Sequence, residues 1–201
     1  MAWVKTISVK DATGKLAQLY KRILRPDGDV DNIMKIHSLR PHSLEGHMYI
    51  YKYVLHHTGN QIDKWFLEAI GTYVSHLNSC EYCFEHHYKG MERLIANKTK
   101  SKAIRKAIIA DTMMDAFNAR QVTALNYAKK LTLDMQNMAE QDVINMRNAG
   151  WDDGEIVEIN QVTAYFSYAN RTIVGLGGSL KGDIIGLSPN KNDKPDDWSH
   201  D

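Results

Sequence analysis

Residues 78 to 87, NSCEYCFEHH, hold both cysteines of the 201-residue chain, with two histidines close behind them. On a helix each residue turns by about 100°, so Cys83 lies about 60° and His87 about 20° around from Cys80. Two sulfurs and the His87 imidazole then share one narrow face, and His86 is expected to point away from it. A zinc site needs four ligands. The sequence offers Cys80, Cys83 and His87, and no second C-x₂-C or H-x₃₋₅-H follows at finger spacing. Two cysteines can also pack simply as small hydrophobes. A redox pair fits the pattern better. A thiolate that attacks a peroxide or a disulfide needs a lowered pKa. A helix start favours the thiolate, and a histidine one turn away can take the proton. A second cysteine resolves the resulting sulfenic acid as a disulfide before further oxidation. Cys80 stands near the helix start and Cys83 one turn in.

A proton relay needs one more titratable group, and Asp63, Glu68 and His76 lie upstream. Glu68 stands among apolar residues in KWFLEAIGTYV, where a charge is costly unless paired. Spacing alone leaves it equally readable as an ordinary helix glutamate. A break at LNS would let the helix carrying Glu68 fold back onto the cysteine helix. His37, His42, His47, His56 and His57 follow no ligand spacing and read as surface or satisfied core histidines.

The elements that must position these residues read as helical almost throughout. Leu16, Leu19, Tyr20 and Ile23 recur at helical spacing, and Pro26 and Gly28 end that helix. Ser43 is the expected N-cap of a second helix, which Gly59 closes. A third runs from about 61 to 77 with a wide apolar stripe, Ile62, Trp65, Phe66, Ala69, Ile70 and Tyr73. A fourth spans about 81 to 96. NKTKSK reads as a polar connector to a short helix ending near Met114. Further helices follow over 122–135 and 139–149. A long one opens on the capping-box pair Asp152 and Glu155. Strand signals are nearly absent.

Composition bounds the function. Hydrophobic residues make up 43% and charged residues 24% at a formal net charge of +1, an ordinary globular balance. No basic run with interleaved aromatics appears, which argues against nucleic acid as a partner. No apolar stretch is long enough to span a bilayer, and the first residues lack the apolar core of a secretory signal. A cytoplasmic protein without membrane partner is expected, where two cysteines are rarely a structural staple. One domain over 1–185 is expected. The polar, proline-containing segment 186–201 has no core of its own and reads as a tail on a neighbouring subunit, with Trp198 as its anchor.

Glu68, Cys80, Tyr82, Cys83 and His87 form the pattern E-x₁₁-C-x-Y-C-x₃-H. It resembles the signature of alkylhydroperoxidase D-like proteins in the carboxymuconolactone decarboxylase superfamily. DATGKLAQLYKRI, SLRPHSLEGHMYIYKYVL, LNYAKKLT and AYFSYANRTIVGLGGSL look like its peroxidase-related subgroup, so the likeness covers nearly the whole chain. The resemblance implies an all-α, homo-oligomeric helical bundle. It implies a thiol peroxidase in which Cys83 forms a sulfenic acid, Cys80 resolves it, and Glu68 and His87 relay protons. The substrate would be a hydroperoxide and the reductant an external thiol or dithiol, with no organic cofactor and no metal. Alkylhydroperoxidase D has histidine where this chain has Tyr82. With an unperturbed pKa near 10, tyrosine cannot act as a base near neutrality. Asn170 and Arg171 match a subgroup NR pair and read as a helix-end or interface contact. The rival readings are a lactone-processing decarboxylase on the same fold and a non-enzymatic redox-sensing or metal-binding protein.

Overall fold

The computed structural model describes residues 2–194, 197 and 198. All regular secondary structure among these residues is helical. The α-helices are α1 (Gly14–Arg22), α2 (Asn32–Ile36), α3 (Pro41–His56), α4 (Lys64–Leu77), α5 (Glu81–Ile95), α6 (Lys98–Ala110), α7 (Ala119–Leu133), α8 (Glu140–Asn148) and α9 (Asp153–Leu176).

Helix α4 is the axis of the molecule. Every residue from Phe66 to Ser75 is buried, as befits a helix covered on all sides. It packs against α3, α5, α6, α7 and α9. The α4–α9 crossing is close because Gly71 faces Phe166, whose Cε2 atom lies 2.1 Å from the position a Cβ would take. Phe166 is fully buried and also packs edge-on to His87, at 4.4 Å between centroids. It therefore has no free space into which to retreat. Gly71→Ala is expected to cost about 3 kcal/mol, at the upper end of overpacking substitutions. Urea unfolding of the two proteins checks this.

The chain reverses between α4 and α5 in three residues. Asn78 ends α4, Ser79 takes the left-handed conformation (φ 54°), and Cys80 becomes the N-cap of α5. The Cys80 amide donates back to Ser75 O at 2.9 Å. This turn is the expected break, and it lays the cysteine helix along α4.

Three local expectations are corrected. The second long helix starts at Pro41, not after Ser43: Pro41 occupies the first turn, where its missing N–H has no role. The Ser43 hydroxyl donates to Arg40 O instead. The NKTKSK connector is the start of α6, capped by the Asn97 side chain accepting from the Lys100 amide at 3.0 Å. That helix ends at Ala110, and a separate 3₁₀ turn covers Met113–Asp115. The Asp152–Glu155 capping box is present at the start of α9.

After α9 the chain runs back over the ends of α3, α4 and α5 of its own chain. Arg25 donates to Gly182 O and Arg93 to Ser188 Oγ. Lys64 donates to Pro189 O, and the Asn192 amide to His56 O. Trp198 is buried, its ring 5.9 Å from that of Tyr51.

Candidate active site

Cys80 and Cys83 are both free, and both are buried. They face different ways. Cys83 lines a cavity of about 60 Å³ together with Glu68, His86 and His87. Cys80 instead borders a surface depression beside Trp3 and Ile173. The two sulfurs interact. The Cys83 thiol, donating toward Cys80, holds Cys80 below the usual thiol value, aided by the Cys83 amide and Asn170 against the effect of burial. The same contact, together with burial, pushes Cys83 up. Of the two thiols Cys80 is thus the more readily ionised, as its N-cap position would suggest.

Glu68 lies on α4 directly across from the cysteine helix. It is 1% exposed, and its Oε2 atom is 2.6 Å from His87 Nδ1. Its Oε1 has no partner among the described residues. A buried carboxylate held by a single hydrogen bond is expensive to retain for stability alone. Gly90, one helical turn beyond His86, faces Glu68: a Cβ there would stand 3.6 Å from Glu68 Oε1, an ordinary contact. The structure brings Glu68 and His87 together beside Cys83.

His86 does not point away. It lines the same cavity, 91% buried, because it lies three residues past Cys83. Measured from Cys83, both His86 and His87 fall on one face, as i+3 and i+4 neighbours do. Its Nε2 is 3.5 Å from Asp183 Oδ2, outside hydrogen-bond geometry.

Tyr82 serves as a clamp. Its hydroxyl donates to Asp183 Oδ2 at 2.5 Å and accepts from the Ile33 amide at 3.2 Å. Burial, with Asp183 and Asp31 nearby, pushes its pKa well up, so it is a donor and no base. Asp183 in turn receives Arg25 and the Asn32 amide. Burial raises the Asp31 carboxyl beside them. This cluster, assembled from residues up to 158 positions apart, ties the cysteine turn to the chain before α2 and the chain after α9.

Asn170 is not an end-of-helix contact. It is 1% exposed and donates to Ser75 Oγ at 3.0 Å, while its Oδ1 accepts from Asn78. Its side chain favours the ionised form of both cysteines. A buried amide on the innermost face of a long helix was the available signal.

His47 and His56 are buried core histidines, but they are not satisfied ones. His47 Nδ1 and both ring nitrogens of His56 lack partners among the described residues. Burial, with His37 nearby, holds His47 down at about 3 and carries His56 well below the usual value. Both stay neutral in the folded protein, whereas the unfolded chain binds a proton at each below about pH 6.5. The unfolded state therefore binds more protons under acid conditions, and stability falls as pH drops through 6.5 toward 3. Between pH 7 and pH 5 the loss should be about 2 kcal/mol per histidine. Urea unfolding at the two pH values should show it, and His47→Phe should remove its share.

No family model matches the chain, and no curated protein matches it. The fold is that of the alkylhydroperoxidase D-like, peroxidase-related proteins. An uncharacterised peroxidase-related protein from Ralstonia eutropha JMP134, described as an alkylhydroperoxidase AhpD core, superposes with a TM-score of 0.77 at 18% identity, covering 89% of this chain and 91% of that one. A peroxidase-related protein from Silicibacter sp. TM1040 gives 0.70 at 23% identity, covering 81% and 83%. The debrominase Bmp8 has the same fold: a variant bound to 2,3,4-tribromopyrrole gives 0.71 at 16% identity, covering 89% and 91%. No helix among the described residues is long and apolar enough to cross a membrane.

Proposed function

We propose that this chain is a thiol-dependent hydroperoxidase in which Cys83 is oxidised and Cys80 resolves it. The observation that carries the reading is the placement of Cys83, alone of the two thiols, in a cavity with the buried Glu68–His87 pair. In the reacting form, the Cys83 proton passes to the ionised form of the neighbouring Cys80, the more acidic of the two thiols. The Cys83 thiolate then attacks the terminal oxygen of ROOH. An S–O bond forms, the O–O bond breaks, and the leaving alkoxide takes a proton from the His87–Glu68 pair. Cys80 next attacks the Cys83 sulfenic acid, closing the disulfide and releasing hydroxide, which is protonated to water. An external thiol or dithiol returns two electrons and two protons.

Thiol chemistry on a halogenated aromatic is the second reading, since a debrominase shares the fold. A cavity of about 60 Å³ favours the peroxide. The deciding experiment follows hydrogen peroxide and dithiothreitol consumption beside bromide release from tribromopyrrole. Peroxide-dependent dithiol oxidation without bromide release supports the peroxidase; the reverse overturns it.

We also propose that the protein works in the cytosol, where reductants return the disulfide to thiols, and as a homo-oligomer. The solvent face of α9 carries Val157, Ala164 and Tyr168 at helical spacing, all exposed, the kind of seam a second helix covers. A monomer mass by light scattering at micromolar concentration would contradict the oligomer.

A further inference from the structure

The segment after α9 supplies part of the wall of the Cys83 cavity, through Gly186, Leu187, Ser188, Pro189 and Trp198. It carries no helix or strand among its described residues. Its anchors are polar: Ser188 Oγ to Arg93 at 2.8 Å, Pro189 O to Lys64 at 2.9 Å, the Asn192 amide to His56 O at 3.1 Å, and Asp197 O to Lys52. The segment has no regular structure of its own and is tied down by individual hydrogen bonds and one indole, so it can open as a local unit while the helices stay folded. It begins at Gly186, whose φ is 89° and where a Cβ would stand 2.5 Å from Lys89 Cγ and 3.2 Å from the Lys89 backbone, so that both conformation and space demand glycine. It ends on Trp198, which lies against Tyr51 with the Lys52 ammonium 5.8 Å from its ring centroid. The indole is 95% buried, yet its N–H has no partner among the described residues. A buried indole usually places that N–H on an acceptor. Here it belongs to a side chain that lines the cavity of a reactive thiol.

We propose that Gly186–Lys194, with Asp197 and Trp198, is a lid that sets which hydroperoxides reach Cys83. Closed, it leaves room for small hydroperoxides. Hydroperoxides with bulky aryl or alkyl groups enter only when it lifts. The substrate class rests on the peroxidase reading, whereas the gate is a property of access to Cys83.

The test separates the two. In a Cys80→Ser background, Cys83 is alkylated with iodoacetamide and with the bulky N-(1-pyrenyl)maleimide. Trp198→Ala should accelerate the bulky reagent at least about tenfold and iodoacetamide by less than about threefold. A chain ending at Gly186 should show the same pattern, and if it does not fold, the full-length Trp198→Ala protein decides. With both cysteines present, the kcat/KM ratio of cumene hydroperoxide to hydrogen peroxide should rise about tenfold in Trp198→Ala. Trp198→Phe keeps an aromatic ring in place, so it should leave the alkylation ratio unchanged. Equal acceleration of both reagents, or of neither, overturns the lid. Selective alkylation without any peroxide turnover upholds the lid and rejects the peroxidase.

Discussion

Cys83→Ser should reduce dithiol-dependent peroxide turnover by roughly 10³-fold or more, the scale on which loss of a nucleophile is felt. Serine is nearly isosteric and should leave the fold intact, because Cys83 is held by the helix and not by a disulfide. Cys80→Ser should behave differently. Oxygen transfer to Cys83 needs only one sulfur, so a single turnover survives. The disulfide cannot close, and the Cys83 sulfenic acid accumulates and over-oxidises. That turnover should also be slower than in the wild type, since a serine hydroxyl at 80 ionises far less readily than the Cys80 thiol, whose pKa is lowered, and so is a poorer acceptor for the Cys83 proton. Rapid-mixing measurements of peroxide loss at one equivalent distinguish the two variants. Equal and complete loss in both would mean that the cysteines act as an inseparable unit.

Glu68→Gln should lower kcat/KM for hydrogen peroxide by roughly 10²-fold, the lower range for removing a positioned acid–base group. Glutamine keeps the volume of the side chain, and its amide oxygen can still accept from His87 Nδ1, so the architecture around the 2.6 Å contact should persist. What it loses is the ability to take and return a proton. Thermal stability should stay close to wild type or improve, because a buried group with an unpartnered oxygen is replaced by a neutral one. A variant that is inactive and also strongly destabilised would point to a structural role for Glu68 instead. The pH profile separates these outcomes further: loss of a proton relay alters its shape, whereas loss of folding scales it uniformly.

Much of this site is written in local sequence. The unbroken apolar stripe of α4 announces a core helix, and a glutamate inside it stands out for that reason. The C-x₂-C-x₃-H spacing places three side chains on the first turns of the next helix, and the LNS break provides the reversal. What stayed hidden depends on distance or on the choice of reference. His86 looks misdirected from Cys80 but is well directed from Cys83, and only the cavity shows that Cys83 is the relevant origin. Tyr82 reads as a missing histidine until Asp183, 101 residues away, appears as its acceptor. Asn170 becomes informative when α9 is seen to lie against the α4–α5 turn, where its amide bonds Ser75 and Asn78. A segment without apolar periodicity gives no hint of its resting place. The described part of the C-terminal stretch lies against its own chain through backbone carbonyls, which every sequence possesses.

The central claim is that the thiol facing the cavity is the one that peroxide oxidises, although the neighbouring thiol is the more acidic. Dimedone trapping tests it most directly. Wild type, Cys80→Ser and Cys83→Ser are each treated with one equivalent of hydrogen peroxide in the presence of dimedone, and the adduct is located by mass spectrometry. The account predicts a stoichiometric adduct on Cys83 in Cys80→Ser, a minor one on Cys83 in the wild type where the disulfide competes, and none in Cys83→Ser. An adduct on Cys80 in the wild type and in Cys83→Ser, with Cys83 unlabelled throughout, would contradict it.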